Sequence, residues 1–100
     1  MIAVFVENPP TTHTNIRAGV VFWRRFTGEP NYGVDPKTAR DIGLGQTVRF
    51  DIDPGLGLWT VGIAFSRFGP RGWGNIEHLT LDAVQAPGPF KDQELRFVIR

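Results

Sequence analysis

Apolar and polar side chains alternate with a period of two along much of this chain. In residues 47–66, Val48, Phe50 and Ile52 alternate with Arg49, Asp51 and Asp53. That period marks a half-buried strand. Pro54, Gly55, Leu56 and Gly57 interrupt the run with turn residues. Trp59, Val61, Ile63 and Phe65 then alternate with the small residues Thr60, Gly62, Ala64 and Ser66. Two alternating runs across a short Pro/Gly break predict two extended strands at the centre of an all-β domain. Trp59 and its alternate neighbours are expected to be buried between facing layers.

The remainder of the chain carries the same signal at intervals. Ile2, Val4 and Val6 share one face of a short first strand, which Pro9 and Pro10 end because proline donates no ladder hydrogen bond. Residues 11–15 read as polar loop and 16–27 as the next strand. There Val20 and Phe22 compete with Val21 and Trp23 for the core, so both faces are candidates for burial. Residues 28–36 are dense in Gly, Pro, Asn and Asp and read as a turn or loop. Residues 37–45 fit either one helical turn or a short edge strand. Residues 68–74 form a glycine-rich loop with Trp73 at its far end. Residues 75–83 predict a strand with Leu79 and Leu81 on one face and His78, Thr80 and Asp82 on the other. A Pro/Gly linker at 86–89 leads to a last strand at 94–100, where Leu95, Phe97 and Ile99 alternate. The total is six to seven strands and no helix, spaced as in a sandwich or small barrel.

Composition narrows this picture. One hundred residues make one domain, spanning 1–100, and allow burial of roughly two-thirds of the unfolded surface. A hydrophobic share of 41% is in the globular range and argues against disorder. Twelve aromatics, three of them Trp and eight Phe, favour strands and leave rings over for a binding face. The absence of cysteine excludes a disulfide scaffold and thiolate chemistry. No apolar run reaches the ~18 residues that span a bilayer, and the N-terminus lacks the pattern of a signal peptide. Those two features imply a chain kept in the cytosol or assembled there into something larger. The net charge of +1 is interspersed and gives no electrostatic footprint for nucleic acid. Nine Arg stand against two Lys, a bias that suits interface contacts and that a GC-rich genome would equally produce.

Four segments, read in order, resemble a fibronectin type III domain. Residues 2–10, IAVFVENPP, resemble that family's strand B, and residues 16–24, IRAGVVFWR, its strand C. Residues 47–72 resemble strand E, the Leu-Pro-Gly turn and strand F, with Trp59 where the family has the Tyr of the E–F corner. Residues 68–72 match the loop before strand G, and 75–83 strand G itself. The resemblance covers about residues 2–85 and departs from the pattern twice: the strand B Trp is absent, and no strand A precedes Ile2. The last strand would fill the vacant A position beside strand B, or pair with a neighbouring subunit. The resemblance implies an antiparallel immunoglobulin-like, fibronectin type III-like β-sandwich. That scaffold has no fixed activity. Small modules of this kind resemble virion components of tailed bacteriophages, on heads, tails and fibres.

Candidate chemistry is sparse. His13 and His78 would need to converge with carboxylates to hold a metal or act as a base. Asp51 and Asp53 share a strand face and, with Asp35 or Asp41, offer oxygen ligands for Ca²⁺ or paired carboxylates for glycoside hydrolysis. Alternation on a solvent face gives the same spacing. The segment Gly69-Pro70-Arg71-Gly72-Trp73-Gly74 lacks the Lys-Ser/Thr of a phosphate loop, and no Gly-x-Ser-x-Gly elbow exists. The expectation is therefore no enzyme, no cofactor and no metal. The best binding set is Arg17, Arg24, Arg25, Arg49, Arg67 and Arg71 with Trp23, Trp73 and Phe68, because Arg and Trp most often anchor interfaces. Residues 67–73 lead it, with Arg71 and Trp73 as anchors; otherwise Trp73 folds back onto the sandwich edge. Tyr32 joins only if the two long loops share an end. Two functions follow: an oligomeric structural module of a virus particle that contacts coat or tail proteins, located in the virion, or a carbohydrate- or cell-surface-binding module in which Trp23, Trp73 and Tyr32 stack on sugar rings. Neither involves nucleic acid or a membrane.

Overall fold

The computed structural model describes residues 1–24, 39–86 and 93–100. Arg25, Tyr32, Asp35, the 28–36 segment and positions 87–89 of the linker lie outside the described residues. The described chain forms eight strands: β1 (Ile2–Asn8), β2 (Ile16–Arg24), β3 (Arg40–Ile42), β4 (Gln46–Ile52), β5 (Gly57–Gly69), β6 (Gly72–Trp73), β7 (Glu77–Ala86) and β8 (Gln93–Val98). A single 3-10 turn, Pro10–Thr12, follows β1. Where six to seven strands were expected, the two short ones, β3 and β6, raise the count.

Two sheets face each other. One has the order β4-β1-β8, the other β3-β2-β5, with β7 on the free side of β5 and β6 paired to its end. The core between them takes Ile2, Val4 and Val6 from β1, Ile16, Ala18 and Val20 from β2, Trp59, Val61, Ile63 and Phe65 from β5, and Phe97 from β8. The alternation of β1 and β5 thus reports the core directly. In β2 the competition resolves in favour of Val20 and Phe22; Val21 lies on the opposite face and is nevertheless buried.

Several expectations are corrected. The β4 and β5 runs do not form one central pair: β4 is an edge strand of one sheet and β5 the middle of the other. The 53–56 break carries the chain across the sandwich. The ladder is not wholly antiparallel, because β8 runs parallel to β1. Residues 40–42 of the uncertain stretch are the short edge strand, paired to β2. The 68–74 stretch is not a loop: β5 continues to Gly69, Pro70 and Arg71 turn, and Gly72, at a φ of +97° that favours glycine, starts β6. On β7 a bulge opposite Thr60 places Ala83 at a φ of +60° and shifts the alternation, so Val84 and Ala86 enter the core; Leu81, opposite Val61 before the bulge, is exposed. Ala86, expected in the linker, is the last strand residue.

Two residues explain why β5 holds the centre. Trp59 is fully buried, meets Phe22 edge-on at 5.5 Å and donates its indole N–H to the Gly55 carbonyl at 3.1 Å, tying the crossover to the core. At Gly62, a Cβ atom would stand 2.4 Å from the Leu79 carbonyl oxygen. The close approach of β7 to β5 therefore requires glycine there.

Candidate functional site

The free end of the β5–β6 hairpin builds the most distinctive surface among the described residues. Phe68 and Trp73 are paired across it, with ring centroids 5.3 Å apart in an edge-to-face arrangement. Phe68 is 52% exposed and Trp73 37%. Trp73 is braced from below by Arg17, whose guanidinium lies 4.3 Å from the ring centre. Arg17 is itself fixed by Asp41 of β3, Nε to Oδ1 at 2.7 Å. Trp73 folds back onto Phe68 and Arg17 and remains partly exposed.

The hairpin is held at its base as well. The Phe68 N–H donates to the Asn15 carbonyl at 3.0 Å, and the Gly74 N–H to the Arg67 carbonyl at 2.8 Å. The Thr14 hydroxyl donates to the Phe68 carbonyl. Arg67 bonds Glu77 at 2.8 Å and the Arg100 carbonyl. Beside the aromatic pair lies an open depression of about 370 Å³, with Asn15, Asp41, Gly43, Gln46, Phe68 and Trp73 in its walls. Leu44 and Pro70 rim an adjoining hollow, and Leu44 is exposed. The pole of the sandwich is thus apolar at its crest with amide, carboxylate and guanidinium groups around it.

Asn8 organises this pole, and nothing in its sequence context singled it out. It is fully buried at the end of β1. Its amide donates to the carbonyls of Thr14 at 2.9 Å and Ile42 at 3.0 Å, and its side-chain oxygen accepts from Thr12 at 2.5 Å. Its own carbonyl accepts from the Gly45 N–H at 2.7 Å. One side chain therefore joins β1, the loop before β2, and the end of β3. The only sequence signal was a polar residue in phase with Val4 and Val6.

The expected binding residues separate. Arg67, Arg71 and Trp73 share the pole, with Arg71 exposed at the turn. Trp23 does not join them: β2 pairs antiparallel with β5, so Trp23 lies opposite Thr60, roughly 20 Å along the strand from Arg17. Arg25 and Tyr32 fall outside the described residues. Arg24 stacks on Trp59 and reaches the Leu56 carbonyl, and Arg49 stacks on Phe5. Arg40, Arg67 and Arg96 also lie over rings. Stacking of this sort, worth about 0.5–1 kcal/mol at exposed sites, is a structural use for the arginine bias.

The polar candidates stay apart. His13 occupies a left-handed turn position, His78 lies on β7 opposite Ala64, and Asp51 is engaged by Arg49 at 2.9 Å. Among the described residues, no three His, Asp or Glu side chains come together.

No family model, curated protein or solved structure matches the chain.

The Arg17–Asp41 pair makes the brace sensitive to acid. The Arg17 hydrogen bond holds the Asp41 carboxyl below its ordinary pKa, outweighing the opposite effect of burial and aided by the Arg17 charge. The same bond raises Arg17. A depressed carboxylate stabilises the fold above its unfolded value and loses that contribution as pH falls through its folded value. Asp41→Asn is therefore expected to be less stable than the native protein at neutral pH and to converge with it in acid. Urea midpoints across pH measure the difference; a gap that persists in acid contradicts the brace. Both groups are exposed, so the effect is small.

Proposed function

We propose that this chain is a non-enzymatic contact module of the immunoglobulin-like, fibronectin type III-like kind, a head-decoration or tail component of a tailed-bacteriophage particle. It would assemble in the host cytoplasm and act in the virion by binding coat or tail proteins. The observation that carries the contact role is the exposed Phe68–Trp73 pair on a hairpin tied down at both base and flank. Aromatic side chains held rigidly at a surface bury area on binding at little entropic cost.

The scaffold type draws support from strand order. In immunoglobulin-like sandwiches strand B lies between A and E, and strand F between C and G. With β1 as B, β4 as E and β8 in the A position, the first sheet follows that order; β2, β5 and β7 follow it as C, F and G. The Trp59 bond to Gly55, four residues upstream at the crossover, does what a corner tyrosine does in that architecture. The particle assignment rests on the resemblance of the four segments.

The depression beside Trp73 favours one other reading, a carbohydrate-binding module. Asn15, Gln46 and Asp41 would meet hydroxyls while the ring stacks on a sugar face. Mass spectrometry of gradient-purified particles produced with this chain separates the two. A fixed copy number per particle supports the contact module. Its absence from particles, with saturable glycan binding that Trp73→Ala abolishes, replaces that reading with the second.

A further inference from the structure

The edge of the smaller sheet carries a self-complementary pattern. β8 pairs with β1 in an unbroken parallel register, Ile2 opposite Gln93 through Glu7 opposite Val98. The Gln93 N–H points to the Met1 carbonyl at 3.4 Å and the Ile99 N–H to the Glu7 carbonyl at 3.0 Å. Gln93, Leu95, Phe97 and Ile99 therefore turn their backbone groups toward β1. Glu94, Arg96 and Val98 turn theirs outward. Among the described residues, nothing pairs with that outer row.

The other edges are each blunted. β3 is three residues long. β7 is bulged at Ala83. On β4, Arg40 donates to the Arg49 carbonyl at 3.1 Å. Among the described residues, β8 alone is both unbulged and without such a cap, the condition under which strands pair with another chain.

We propose that β8 pairs antiparallel with β8 of a second copy of this chain, about a twofold axis through Leu95, to make one continuous six-stranded sheet. In that register Glu94 of each copy faces Arg96 of the other, and both residues of each facing pair present outward N–H and C=O groups. The backbone phase allows this alignment, and the charge pattern selects it. Leu95, half-buried, meets its own copy on the core side. Moving the axis by one residue sets Arg96 against Arg96 or Glu94 against Glu94, which like-charge repulsion disfavours. Within one chain the two side chains already reach each other, Arg96 Nη2 to Glu94 Oε2 at 3.5 Å, and both are exposed and available to exchange partners.

The inference deepens the contact-module reading by naming one partner as a second copy. It uses a surface separate from the hairpin, so either can fail alone. Sedimentation equilibrium of the full chain over a concentration series tests it. The native protein is expected to move from one chain to two as concentration rises. Arg96→Glu sets acidic side chains against each other in both pairs and weakens association by about tenfold or more. The exchange Glu94→Arg with Arg96→Glu recreates opposite charges in the same register and restores it. Far-UV circular dichroism checks that each variant is folded, and Trp73→Ala leaves the association unchanged. A native protein that stays monomeric, a dimer that survives Arg96→Glu, or an exchange that restores nothing overturns the proposal.

Discussion

Trp59→Ala is expected to unfold the protein or bring it to the edge of unfolding. The side chain is fully buried, packs edge-on against Phe22 and holds the crossover through Gly55. Truncating a buried Trp costs about 3–5 kcal/mol, against a total stability of about 5–15 kcal/mol for a domain. Each kcal/mol lowers the melting temperature of a small domain by about 4–8 °C. Trp59→Phe separates the contributions: it keeps most of the ring burial and loses the indole hydrogen bond, for about 1–2 kcal/mol. Urea denaturation of the three proteins gives the order native, Phe, Ala. An alanine variant that melts within a few degrees of the native protein contradicts the placement of Trp59 between the sheets.

Asn8→Ala is expected to cost about 2–4 kcal/mol, although it removes only one small polar side chain. The loss leaves the Thr14 and Ile42 carbonyls without their donor and frees the loop and β3 end that wall the pole. Asn8→Asp is the more telling variant, since it replaces the donating amide by an oxygen aimed at two carbonyls. Only the protonated carboxyl can donate there, so the folded state raises its pKa. By linkage that stability is present below the unfolded value and is lost as pH rises through the folded one. The Asp variant should therefore approach the native protein in acid and fall away toward neutrality, the same trend as Asp41→Asn but reached by adding a carboxyl whose pKa is raised rather than by removing one whose pKa is lowered. Equal urea midpoints for Asn8→Ala and the native protein contradict the hub.

Much of the sandwich was written in single-strand alternation. Val4 and Val6, Trp59 through Phe65, and Phe97 are core residues for the reason their spacing suggests. What alternation does not encode is which sheet a strand joins. β4 and β5 carry the same pattern whether they fold back on one another or cross between layers, and β8 reads alike in a parallel or antiparallel ladder. The β7 shift follows from one extra residue opposite Thr60, which puts Val84 and Ala86 on the core face where the alternation set by Leu79 and Leu81 points to Ala83 and Gln85. At the pole, Trp73 and Arg71 stood out by residue type. Asn15 and Gln46 did not, and Asp41 stood out only as an oxygen ligand to join Asp51 and Asp53, because polar residues near turns are common and only the fold brings these three beside the ring. Arg17, expected among the interface residues, packs against the Trp73 ring and is held there by Asp41.

On the proposed reading, the hairpin pole is a contact surface separable from the core beneath it. Trp73→Ala, assayed at once for melting temperature and for retention on purified particles, tests this most directly. The ring is partly exposed and its loss removes about 1 kcal/mol of stacking. A fall of about 4–8 °C in melting temperature together with loss of the protein from the particle is expected. Full retention, or a collapse in melting temperature like that of Trp59→Ala, contradicts it.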